Sequence, residues 1–116
     1  PNIVITETEV ISGKGDKEIL DGSARRLAEP HPGCRLIDDT VAPYPTARTR
    51  LVTGVYTLND TSMTVTQLVW LTRHRNDGDE EPRRFLWAAT CTCPSLACPS
   101  IIEDFMTMAR TVEVES

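Results

Sequence analysis

Three sulfurs within eight residues are the densest chemistry in the chain: Cys91-Thr-Cys93-Pro-Ser-Leu-Ala-Cys98, with Cys34 remote from them. On a strand Cys91 and Cys93 share a face, because successive side chains alternate. Phe85, Trp87 and Ala89 fall on the same face, so it reads as core, where cysteine behaves as a small hydrophobe. The spacing is not the paired C-x2-C pattern of a zinc site, and His31 and His74 would join it only through the tertiary fold. Structural thiols are therefore the first expectation. The alternative is a thiol-based redox or metal-binding protein that uses Cys91, Cys93 and Cys98. Any disulfide would join Cys93 to Cys98 across their short loop, since Cys91 and Cys93 stand at the edge of bridging distance.

Arginines supply a second pattern. Arg48 and Arg50, and again Arg73 and Arg75, stand two apart on segments that read as neighbouring strands, so each pair shares a face. If the two faces coincide they form a basic patch for an acidic partner or an anionic headgroup; otherwise acids across the strands neutralise them. Trp70, with Leu68 and Thr72, lines a sheet face that either binds a lipid, peptide or partner or is covered by the N-terminal helix. Asp38 and Asp39 are adjacent on a strand and cannot form a dyad. Asp38, if inward, would need Arg48 or Arg50 as a partner. Asp77, Asp79, Glu80 and Glu81 lack the ordered ligand spacing of a calcium loop and read as a solvated hairpin tip. No serine sits in a nucleophile elbow, neither histidine suggests a triad, and Gly13-Lys14-Gly15 is too short for a phosphate loop. No catalytic, metal or cofactor-binding set is expected.

The elements that must position these residues follow from periodicity. Asn2 to Ile11 alternates as a strand and ends at a Ser-Gly-Lys-Gly turn. Asp16 is the expected N-cap of a helix to about Ala28, whose Ile19, Leu20, Ala24, Leu27 and Ala28 form one apolar stripe. Pro30 and Pro32 stop it. A strand from Cys34 follows, then an extended Pro43-Tyr44-Pro45 segment. Thr46 to Leu58 and Thr61 to Arg75 pair across an Asn59-Asp60 turn, and Asn76 to Asp79 turns into a last strand, Arg83 to Cys93. Ser100 is the expected cap of a C-terminal helix carrying Ile101, Ile102, Phe105, Met108, Ala109 and Val112 on one side. The fold class is α+β, an antiparallel sheet flanked by an N-terminal and a C-terminal helix.

Composition narrows the classes. The 116 residues carry a net charge of −5, against the basic surface a general nucleic-acid binder needs. No apolar run reaches membrane-spanning length. The length fits one domain, 1–116, and the start at Pro1 leads to the expectation that a short upstream segment is missing. Of the 12 basic residues only Lys14 and Lys17 are lysine, a bias associated with GC-rich genomes. The compartment is not readable: cytoplasmic and exported both stay open.

The order strand, helix, strand, long hairpin, strand, helix resembles the PsbP-like superfamily, whose fold is shared by a Ran-binding nuclear-import factor and an extrinsic photosystem protein. Within it the chain is most similar to actinobacterial LpqN-type lipoprotein domains and their uncharacterised relatives. The resemblance is carried by Pro1 to Ile5, Cys34 to Asp38, Gly54 to Thr57, Thr66 to Trp70, and the stretch from Trp87 through Ile102-Glu-Asp-Phe to Arg110. The family's further N-terminal segment and its lipobox cysteine are not in this sequence. The resemblance implies a non-catalytic binding or accessory module in a bacterial, actinobacterial setting. Its partner would be an unidentified protein or a small lipid-like ligand. A homodimer through the open edge of the long hairpin is the further possibility.

Overall fold

The computed structural model describes residues 2–11, 13–27, 29–75, 78 and 81–112. Five strands, β1 (Asn2–Val10), β2 (Arg35–Ala42), β3 (Thr49–Leu58), β4 (Thr61–His74) and β5 (Arg83–Pro94), form one sheet in the order β1-β5-β4-β3-β2. Every pairing is antiparallel. Helix α1 (Asp16–Arg26) links the two edge strands, and α2 (Cys98–Arg110) follows β5 after a short 3-10 turn at Ser95–Ala97. The class is α+β, as the patterning predicts.

Strand parity decides which face each helix covers. Ala24 and Leu27 at the C-terminal end of α1 pack with Val52, Tyr56 and Val65. Phe105 and Ala109 of α2 pack with Leu68, Trp70, Ala89, Cys91 and Ala42. Val65 and Leu68 differ by an odd number of residues, so they point to opposite sides of β4. One helix therefore lies on each face: α1 rests on β3 and β4, and α2 chiefly on β5, with Phe105 packed against Leu68 and Trp70 of β4. Phe105 and Leu68 are fully buried, each contributing roughly 1.5–3 kcal/mol by apolar burial.

Local chemistry sets the boundaries. Asn59 and Asp60, the tight turn between β3 and β4, both have positive φ, which their short polar side chains tolerate. Thr49 closes the approach to β3: its hydroxyl donates to the Thr46 carbonyl and accepts from the Thr46 N–H, both at 3.0 Å. Gly15, not Asp16, caps α1, and Asp16 becomes its first residue because the carboxylate is drawn across to two arginines. α2 starts at Cys98, earlier than a Ser100 cap would place it, with Pro99 in the first turn where a missing N–H costs nothing. The turn predicted at Asn76 to Asp79 falls mostly outside the described residues.

Two expectations are corrected. The long hairpin β3–β4 has no open edge: β2 covers one side and β5 the other, so it offers no free strand edge for pairing with a second copy, and the sheet's edges are β1 and β2. Trp70 is not on an accessible face. It stands opposite Trp87 in the β4–β5 register, so both rings share the α2 side, stacked at 6.3 Å, and Trp70 is 3% exposed.

Gly54 packs against Cys34 and Val65 on the α1 face; a Cβ there would lie 2.9 Å from the Cys34 sulfur and 3.4 Å from Val65. Gly54→Ala is therefore expected to lower stability by about 1–3 kcal/mol through overpacking. Gly54→Ala/Cys34→Ala should recover most of that loss, and urea unfolding of both variants measures it.

Candidate functional site

Two of the four arginines expected to make a basic patch, Arg50 and Arg73, instead seat the molecule's own helix. Arg50 on β3 and Arg73 on β4 lie on the face that α1 covers, since they share parity with Val52 and Val65. Arg84, opposite Arg73 in the β4–β5 register, joins them. The Arg73 Nη2 donates to Asp16 Oδ2 at 2.7 Å and the Arg84 Nη1 to Asp16 Oδ1 at 2.9 Å. The Arg50 guanidinium bonds Asp39 of β2 at 2.6, 2.7 and 2.9 Å and also reaches Asp21 of α1. Arg50 thus ties an edge strand and the helix to the sheet's centre. Its partner is Asp39 rather than Asp38, because a bulge between Leu36 and Asp38 re-phases β2 and turns Asp39 toward the α1 face. Arg48 is exposed in the turn before β3, and Arg75 is exposed just beyond β4.

The charges respond accordingly. Partial burial pushes the Asp16 carboxyl up, but hydrogen bonds and charge from Arg73 and Arg84 outweigh it, and its pKa lies below the ordinary 3.8. Hydrogen bonding to Arg50 lowers Asp21 in the same way. Asp39, then Asp21, raise the pKa of Arg50 above its ordinary value.

The thiols divide between the two faces. Cys34 is half-buried on the α1 side against Gly54. Cys91, Cys93 and Cys98 lie on the α2 side, where Cys93 neighbours both others. All four are free thiols, in line with the first expectation, and the alternative Cys93–Cys98 bridge is not formed. Cys91 and Cys93 are 0% exposed, as a core-facing strand predicts. Burial raises the Cys91 thiol, and burial together with its sulfur neighbours pushes Cys93 up to about 11. A thiol so raised stays protonated near neutral pH and is a poor nucleophile or metal ligand. Among the described residues, no three His, Cys, Asp or Glu side chains converge as a metal-holding group.

The arrangement that sequence reasoning missed lies beside α1. A helix is about 10 Å wide and strands are about 4.8 Å apart, so α1 shields roughly two of the five strands on its face. It sits over β3 and β4, which leaves β5 and β1 as the floor of a groove of about 540 Å³. Thr6, Thr8, Thr90 and Thr92 bring hydroxyls to that floor, with Leu86 and Ala88 between them. Ser23, Arg26 and Leu27 of the helix, with Pro30 and His31 after it, form the wall. His31 is held by stacking on Tyr56, with centroids 3.9 Å apart and planes within 7°.

Gln67 stands at the back of this groove, on β4. Its Nε2 donates to Thr90 Oγ1 at 2.9 Å, while its buried Oε1 has no protein partner. A buried acceptor without a donor costs roughly 1–3 kcal/mol, so such an atom in a central strand calls for an explanation. The signal was present in the sequence: Gln67 interrupts the column Val65, Val69, Leu71 that otherwise faces one side of β4.

Two outcomes follow from these environments. Asp16 and Asp21 have lowered folded pKa values, so their contribution is present above the unfolded value near 3.8 and is lost as pH falls through the folded value. Asp16→Asn should destabilise the protein at pH about 6, and its difference from the wild type should shrink as the pH falls below the ordinary 3.8, as measured by denaturant unfolding. In thiol labelling, Cys34 and Cys98 should react first, whereas Cys91 and Cys93 should be labelled only as fast as the protein unfolds.

No family model matches the chain, and no curated protein matches it, so the functional reading rests on the residues themselves.

Proposed function

We propose that the protein is a non-catalytic binding module whose groove between α1 and the β5–β1 half of the sheet receives a small ligand. The observation that carries this reading is Gln67. A central strand has placed an amide where one polar atom lacks a protein partner, at the back of a groove bounded by hydroxyls and apolar side chains. A volume of about 540 Å³ suits a small molecule, and a mixed lining of apolar surface and a few polar groups is what such sites present. The reading agrees with what the PsbP-like resemblance of the sequence implies, a binding or accessory module in an actinobacterial setting.

A second reading, a thiol-based redox or metal-binding protein, has the contact chain Cys91–Cys93–Cys98 behind it. Rapid labelling of these thiols, or one metal ion per chain by native mass spectrometry, would favour it.

The binding reading makes Gln67 a residue kept at a cost to stability. Gln67→Met keeps the side-chain length and removes the orphaned atom, so it should raise stability by about 1 kcal/mol while weakening fragment binding. A screen of small amphipathic fragments by amide NMR should shift Thr6, His31, Gln67 and Thr90 together. Shifts scattered over the surface, or a Gln67→Met variant less stable than wild type, would overturn the reading.

A further inference from the structure

Beyond the groove, and independently of it, we infer that β1 is a dimerisation edge: two copies of this chain pair their first strands antiparallel about a two-fold axis at Val4. The contrast between the two edges of the sheet leads there, and the order of residues along β1 fixes the register.

As an edge strand, β1 bonds β5 on one side only, so alternate N–H and C=O groups along it point outward without a ladder partner. Sheet edges are commonly blunted against pairing by a bulge, a proline, a lysine or another charge. The β2 edge is blunted in this way: a bulge falls between Leu36 and Asp38, and Asp38 and Asp39 separate the exposed Leu36 and Ile37 from the exposed Val41. From Asn2 to Thr6, β1 carries none of these devices. Its register with β5 is unbroken, and the segment holds no charge and no proline. Ile3, Val4 and Ile5 follow one another at 45%, 45% and 52% exposure, so apolar surface lies open on both faces of the same edge.

A second copy fits this edge better than any other strand of the molecule. A two-fold that pairs a strand antiparallel with itself runs along the sheet normal, so residues placed opposite share a face. With the axis at Val4, Ile3 stands opposite the partner's Ile5, Val4 opposite the partner's Val4, and Asn2 opposite the partner's Thr6. Glu7 and Glu9 then lie outside that segment, in water. An axis at Ile5 would set Ile3 against the partner's Glu7, and an axis at Thr6 would set Ile5 there instead. The Val4 register thus joins the uncharged part of β1 to itself, which two chains of net charge −5 require. Ile3 and Ile5 stand opposite Cys91 and Ala89, so in the pair they extend the apolar layer beneath α2 across the seam. Pairing β1 with β2 of the next copy would be head-to-tail and open-ended, and it would meet the bulge and the aspartates; self-pairing closes at two.

The paired segment is short, so the contact belongs with small, weak interfaces, with a Kd on the order of 10 μM. Sedimentation velocity over concentrations spanning that value should show monomer passing to dimer and no larger species. Ile5→Lys places a charge at the seam and should weaken the dimer at least about tenfold, with far-UV circular dichroism of the dilute monomer unchanged. Ile37→Lys, on the other edge, should dimerise as the wild type does. Hydrogen exchange on the wild type needs no variant: alternate amides between Asn2 and Thr6 should exchange more slowly as protein concentration rises. A monomer at every concentration overturns the inference. So does a dimer whose β1 amides stay unprotected or which Ile5→Lys leaves intact, and so does growth beyond two copies, the mark of β1 pairing with β2. None of these outcomes bears on the groove, which the fragment screen tests by itself.

Discussion

The position of one eleven-residue helix over one face of the sheet governs the rest of this molecule. Helix α1 is tied by chain connectivity to both edge strands, β1 before it and β2 after it. It must therefore cross a five-stranded face that it is too narrow to cover. Where it settles decides which strands are buried twice and which are left open. It settles over β3 and β4, and the groove above β5 and β1 is the geometric remainder.

Two kinds of force hold it there, and they do different things. Apolar contact supplies the energy, through Ala24 and Leu27 against Val52, Tyr56 and Val65. Ion pairs supply the placement: Asp16 between Arg73 and Arg84, and Asp21 on Arg50, act as two fixed points along the helix. Ion pairs near the surface are worth about 1 kcal/mol each, so these are better described as setting position than as holding the fold together. Arg50 also holds Asp39, so the same residue keeps an edge strand aligned with the sheet. The α2 face is simpler, with Phe105 inserted among Leu68, Trp70 and Ala89.

This division explains where chemistry is absent and where it collects. Under α2, Trp70 and the thiols of Cys91 and Cys93 are packing groups with their polarity suppressed by burial. The α1 face is half open, and its exposed half carries threonine hydroxyls and an arginine, with the amide of Gln67 behind them. Function is read from that half because recognition needs polar groups that the fold has not already consumed.

The sequence by itself determined the elements and their class. Helical and alternating apolar periods marked α1, α2 and the strands, Asn59-Asp60 marked a turn, and the prolines marked ends, because these signals depend on neighbours along the chain. It also placed Cys91 and Cys93 in the core, since they share a strand face with Trp87 and Ala89. It did not show which strands are edges, which face each helix covers, or that a bulge turns Asp39 rather than Asp38 toward Arg50. Only the tertiary structure decided those. Strand order, register and helix placement are relations between residues distant in sequence, and Trp70, Arg73 and Gln67 acquire their roles from what the fold sets against them. Arg73 meets Asp16 from 57 residues away, and Gln67 meets Thr90 from 23.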